Sequence, residues 1–167
     1  MKAEDLMSKE VKTCHRDSNL AEVASVLWES DCGALPVVDD DGKVIGIVSD
    51  RDICVAVATK GRLASEVTAG EVADGKPVHT CSPETPIQHV LTTMQQQQVR
   101  RIPVVNRENR IEGILSISDV VLAAQQDGRG APSSVSNNEV MSTLKAICEH
   151  RHVAPNATSR ATNAAQA

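Results

Sequence analysis

Gly46-Ile47-Val48-Ser49-Asp50-Arg51-Asp52 and Gly113-Ile114-Leu115-Ser116-Ile117-Ser118-Asp119 share one pattern: a glycine, two apolar residues, a serine, and an aspartate three residues further on. The two stretches lie 67 residues apart, and the same shift aligns the chain on either side of them. It places Val11-Lys12-Thr13-Cys14 on Val78-His79-Thr80-Cys81 and Pro36-Val37-Val38 on Pro103-Val104-Val105. Leu20 falls on Ile87, Leu27 on Met94, Val44 on Ile111 and Ile53 on Val120, with no gap between residues 11 and 62. One triplet can match by chance; a series in register marks a duplicated structural unit.

Each copy reads alike. Residues 11–14 are a short β-prone run closed by the polar turn His15-Arg16-Asp17-Ser18. Leu20, Val23, Ala24 and Leu27 then recur at helical spacing, as do Ile87, Val90, Leu91 and Met94. In the second copy Thr85 is expected as N-cap and Pro86 at the first helical position. Leu35-Pro36-Val37-Val38 and residues 43–48 predict strands around the turn Asp39-Asp40-Asp41-Gly42. The matching turn, residues 106–110, is equally polar but lacks glycine. Further helices are expected at 50–59 and 117–126. The order is β-α-β-β-α twice, an α/β (α+β) fold. Units this small bury too little apolar surface alone, so they are expected to pack as a pseudo-two-fold pair.

The organisation that follows is a first domain over 1–64, a second over 65–126, and a loop with a C-terminal helix over 127–151. The linker at 60–76 is expected to carry a helical turn around 69–72. Asn138 is the expected cap of the last helix, with Val140, Met141, Leu144, Ile147 and Cys148 on one face. Residues 152–167 hold hardly any large apolar side chain, which predicts a disordered tail.

Composition excludes several functions. A net charge of −5 argues against nucleic acid as a partner. With one Trp and no Phe or Tyr, the core must be aliphatic, and platforms for stacking bases are missing. No apolar run approaches the ~20 residues that span a membrane, and the charged opening MKAEDLMSKE does not suit a signal peptide. The five cysteines form no CxxC pair. Cys14-His15 and the Cys148, His150 and His152 group raise a metal or redox role. Cys14, Cys32 and Cys54 sit among apolar residues, however, where a thiol acts as a small hydrophobe, and no tetrahedral metal set can be assembled. A reduced, cytoplasmic protein is expected. No nucleophile-base set or P-loop is present, so no catalytic residue is assigned. Trp28, one step off the Leu20/Val23/Leu27 stripe, is expected to pack at the helix edge, with contact to a partner subunit as the alternative, and the glutamines at 95–98 are too few for an interaction tract.

The two junctions are where chemistry can sit. A serine at a helix start, with free amides behind it, offers an anion site. A carboxylate three residues later can accept both hydrogen bonds of a vicinal diol such as a ribose. Ser-x-x-Asp is equally a capping box, and duplication copies caps as readily as sites. On residues alone both readings stay open.

The βαββα repeat, the Ala34-Leu35-Pro36-Val37-Val38 and Arg101-Ile102-Pro103-Val104-Val105 strands and the two junctions closely resemble paired CBS domains, the Bateman module, over about residues 3–126. The resemblance implies a regulatory module that binds AMP, ADP, ATP or S-adenosylmethionine, with no other cofactor. It also implies a homodimer that signals to an unknown regulated protein in trans. A structural or dimerisation module with empty pockets is the alternative, and an enzyme a more distant one. Carried over by position, one site would use Thr13, Ala34, Leu35, Pro36, Ser49 and Asp52. The other would use Thr80, Arg101, Ile102, Pro103, Ser116, Ser118 and Asp119. Arg100 and Arg101 stand where the first copy has Gly33 and Ala34. Guanidinium groups suit phosphates, so these two either help bind a di- or triphosphate or form a solvated pair. Arg51 is expected to face solvent or an acidic neighbour, with a reach to phosphate as the alternative.

Overall fold

A computed structural model describes residues 1–124 and 135–149. The expected tail at 152–167, most of the expected loop, and His150 and His152 lie outside the described residues. The first repeat runs β1 (Cys14–His15), α1 (Leu20–Glu29), β2 (Ala34–Val38), β3 (Val44–Ser49) and α2 (Asp50–Lys60). After α3 (Ala69–Ala73), the second runs α4 (Ile87–Gln97), β4 (Arg101–Val105), β5 (Ile111–Ser116) and α5 (Ile117–Ala123), and α6 (Asn137–Cys148) follows. β2 lies between parallel β1 and antiparallel β3, while β4 and β5 pair antiparallel. The leading strand is shorter than expected in both copies. It spans two residues in the first and a single parallel bridge, Cys81 to Val104, in the second. The residues ahead of it leave the sheet, and Val11 and Lys12 line a cavity instead.

Local chemistry explains the ends. Asn19 caps α1, its Oδ1 accepting from the amides of Ala21 and Glu22. In α4 the cap position falls on Pro86, whose ψ of 137° is extended, so the helix starts one residue later than expected. The Thr85 hydroxyl is not its cap; it accepts from the Ser82 amide. The glycine missing from the second hairpin is replaced by Asn109 at φ 62°, where the first has Gly42 at φ 75°. Asparagine tolerates this left-handed region best among residues with a side chain.

The two repeats exchange segments. Residues ahead of the first repeat pack on the second: Ala3 N donates to Thr85 O, Glu4 N to Pro83 O, and Ile87 N to Met1 O. Residues of the linker make the equivalent bonds on the first: Ala69 N to Ser18 O, Gly70 N to Arg16 O, and Leu20 N to Val67 O. Each core follows this exchange. Ala3, Leu6 and Met7 join Ile87, Val90, Met94, Ile102 and Leu115, whereas Val67, Ala69, Val72 and Ala73 join Leu20, Val23, Leu35 and Val48. Lys43 bridges Arg110, its own equivalent in the other repeat, as a pseudo-two-fold axis between the hairpins requires. The exchange also explains both pattern glycines. A β-carbon on Gly46 would lie 2.6 Å from Ala73 Cβ, and one on Gly113 would collide with the Met7 side chain.

α6 packs on α4 and α5. Its cap is Ser136 with Glu139 in a capping box, two residues before the expected Asn138. The face buried against the second repeat is Val140, Thr143 and Ile147, and Met141 and Cys148 are exposed. The glutamine run holds it: Gln95 Nε2 donates to Thr143 Oγ1 at 2.7 Å and Gln98 Nε2 to Ala146 O at 3.1 Å. On the first repeat the same face is bare. Leu91, Met94 and Val120 are buried; of their equivalents Leu27 is buried too, but Ala24 is exposed and Ile53 half-buried, and all three line an open groove beside Trp28. Trp28, where the second repeat has Gln95, is 88% exposed rather than packed at the helix edge.

Candidate functional site

Both Ser-x-x-Asp junctions fold as capping boxes, because β3 and β5 deliver each serine in extended conformation at a helix start. At the second, Ser116 N and Oγ donate to Asp119 Oδ2 at 2.7 and 2.6 Å, and Asp119 N donates to Ser116 Oγ at 3.3 Å. Ser49 and Asp52 repeat this at 3.0, 2.6 and 3.2 Å. Ile117 N is also engaged, on Arg100 O. The serine hydroxyls and these amides are therefore committed to the helix starts. What each capping box leaves over of its carboxylate is the second oxygen, Oδ1.

A cavity of about 350 Å³ opens between the repeats on the Asp119 side. Its walls combine Ala34 and Leu35 of the first repeat with Arg101, Ser116 and Asp119 of the second. The cavity thus brings Arg101, Ser116 and Asp119, expected together in one group, up against Ala34 and Leu35, expected in the other. Thr13, Pro36, Ser49, Asp52, Thr80, Arg100, Ile102, Pro103 and Ser118 do not line this cavity. Ile102 and Pro103 are buried in the sheet, while Thr80, Arg100 and Ser118 are exposed. Arg101 is half-buried and crosses to the first repeat, its Nη2 3.0 Å from where a β-carbon on Gly33 would stand. Glu10 and Lys12 also line the cavity and were not singled out from sequence. Lys12 lies within the aligned run, but Glu10 falls before residue 11, where the repeat gives no signal.

The Asp52 junction differs in one contact. Lys76 Nζ reaches Asp52 Oδ1 at 2.7 Å. Burial pushes the Asp52 carboxyl up, but hydrogen bonds from Lys76 and Ser49, with the Lys76 charge, together hold it below the usual carboxylate value.

The cysteines divide by burial. Cys14 and Cys81, at equivalent positions, have thiols pushed up to about 11 by burial. Cys54 and Cys148 are exposed, which corrects the expectation that Cys54 is buried. Iodoacetamide at neutral pH is therefore expected to label Cys54 and Cys148 first, with Cys14 and Cys81 protected until the fold opens; mass mapping of the labelled peptides checks this. The raised thiols contribute stability that is full below pH 9.0 and is lost as pH rises toward 11. Among the described residues, no three His, Cys, Asp or Glu side chains come together to hold a metal ion. Among the same residues, no helix is long and apolar enough to cross a membrane.

The CBS domain model matches the chain twice, over residues 3–59 and 69–125. Hypoxic response protein 1 of Mycobacterium tuberculosis is 32% identical over 146 residues, which are 87% of this chain and 93% of that protein. A crystal structure of Hypoxic Response Protein I with two coordinated zinc ions aligns at a TM-score of 0.67 and 32% identity, over 73% of this chain and 98% of that one. The CBS domain pair of protein MJ0100, in complex with 5′-methylthioadenosine and S-adenosyl-L-methionine, aligns at a TM-score of 0.63 and 28% identity. That alignment covers 73% of this chain and 94% of the other.

Proposed function

The chain belongs to the CBS domain family, and from that premise we propose that it is a regulatory module that binds an adenosine compound in the cleft between its repeats. The ligand class is AMP, ADP, ATP or S-adenosylmethionine. The observation that carries the reading is the cavity of about 350 Å³ lined by Asp119, whose capping box uses Oδ2 and leaves Oδ1 over. Small-molecule sites begin at roughly 300 Å³. Asp119 accepts the ribose hydroxyls, Ala34 and Leu35 give the base an apolar wall, and Arg101 and Lys12 offer cations to a phosphate. Support for the ligand class also comes from the MJ0100 pair, which holds two adenosyl compounds. The module is not itself an enzyme. Because both repeats wall the cleft, a ligand there changes how they sit together, and a cytoplasmic partner protein reads that change.

Ligand-dependent melting tests this. At about 100 times its dissociation constant, a ligand adds about 2.7 kcal/mol, or roughly 5–10 °C in a chain of this size. A panel of adenosine and guanosine nucleotides with S-adenosylmethionine should give such a shift for at least one adenosine compound. A flat panel leaves the structural-module alternative standing.

The same module is proposed to be a homodimer through the bare face of α1 and α2. The equivalent face of the second repeat is covered by α6, whereas Leu27 and Trp28 of the first line an open groove. Trp28→Glu is expected to leave the melting temperature of the monomer within a few degrees and to shift the sedimentation coefficient from dimer to monomer. A wild-type chain that sediments as a monomer at tens of micromolar counts against this face.

A further inference from the structure

The two junctions have the same capping box and differ in the charge brought to them by the exchanged segments. Behind α3 the linker turns at Gly75, with φ 75°, and Lys76 N is held on Ala73 O. That turn places the Lys76 ammonium on Asp52 Oδ1, the one acceptor the capping box leaves over. The corresponding stretch ahead of the first repeat, Lys9-Glu10, puts a carboxylate, Glu10, into the wall of the Asp119 cavity. Among the described residues no ion pair forms on Asp119. A diol approaching Asp52 must displace a charge-assisted hydrogen bond; a diol approaching Asp119 meets no such pair among the described residues.

Resting on the adenosine-binding reading above, we infer that Lys76 is a built-in competitor for the ribose at Asp52, so that the two junctions are inequivalent and the Asp119 side fills first. Lys76 is a positioned side chain of the linker, so any movement of α3 that withdraws it frees the second junction. The half-exposed ion pair sets the size of the effect at about three- to tenfold in affinity.

The test uses adenosine, whose lack of charge keeps phosphate attraction to Lys76 out of the comparison. Calorimetric titrations are run on the wild type, Asp119→Asn, and Asp119→Asn combined with Lys76→Ala. The expected result is that Asp119→Asn weakens the first binding event, and that adding Lys76→Ala raises the remaining affinity by about three- to tenfold. Lys76→Met, which keeps the length of the side chain without its charge, should do the same. Unchanged or weaker binding on removal of Lys76 overturns the inference, and so do two equal sites in the wild type. If neither the wild type nor the Lys76 variants bind any adenosine compound, the adenosine reading itself fails and this inference fails with it.

Discussion

Asp119→Asn is expected to weaken binding of AMP or S-adenosylmethionine by about tenfold or more, while leaving the fold in place. The Asn oxygen can still accept from the Ser116 amide, so the start of α5 keeps most of its cap. What disappears is the free acceptor itself, because the amide nitrogen, a donor, takes the place of Oδ1, and a hydrogen bond to a charged acceptor contributes roughly 1.5–3 kcal/mol, which is about ten- to a hundredfold in affinity. Isothermal titration of both proteins, beside their melting curves, separates lost binding from lost structure. Asp52→Asn should cost less than Asp119→Asn, because its second oxygen is already held by Lys76. Equal affinity in wild type and Asp119→Asn would remove the carboxylate from the site.

The second large effect is on stability. Gly46→Ala is expected to destabilise the chain by about 1–3 kcal/mol, the usual range for overpacking a filled core. The new β-carbon would stand 2.6 Å from Ala73 Cβ, which α3 holds against the sheet, so a whole segment must shift. At roughly 2–4 °C for each kcal/mol, differential scanning calorimetry resolves the loss easily. Gly113→Ala is the milder substitution, since it meets the flexible Met7 thioether, although Ser8 O at 3.1 Å limits the room. Equal, small effects at both glycines would mean that the exchanged segments are not packed as described.

Much of this fold was legible in the residues because duplication writes every element twice. Ile87, Val90, Leu91 and Met94 are buried as their spacing predicts, as are Leu20, Val23 and Leu27, while Ala24 of the same stripe is exposed, and both hairpins fall on the expected turns. The readings that failed depended on contacts between segments distant in sequence. Nothing near Pro86 says that Met1 O receives the Ile87 amide, so Thr85 looked like the cap. Nothing near Gln95 and Gln98 says that α6 docks on them. Trp28 looked like an edge-packing residue because its stripe was visible, whereas the helix that covers its equivalent belongs to the second repeat alone.

The candidate site was half legible for the same reason. Ser116 and Asp119 announce a junction, yet alignment alone assigns their partners to the same copy. In the structure Ala34 and Leu35 of the first repeat line the same cavity as Ser116 and Asp119. Local sequence also left two uses of Ser-x-x-Asp open, a cap or a ligand site. The geometry shows the cap, which takes the serine hydroxyl, the amides and Oδ2, and leaves Oδ1 outside it.

A crystal structure of the chain grown with AMP tests the binding proposal most directly. The expected result is ribose hydroxyls within hydrogen-bonding distance of Asp119 Oδ1, the base against Leu35 and Ala34, and Lys76 still on Asp52. Density for the nucleotide away from Asp119, or a cleft that stays empty at saturating AMP and S-adenosylmethionine alike, would contradict it.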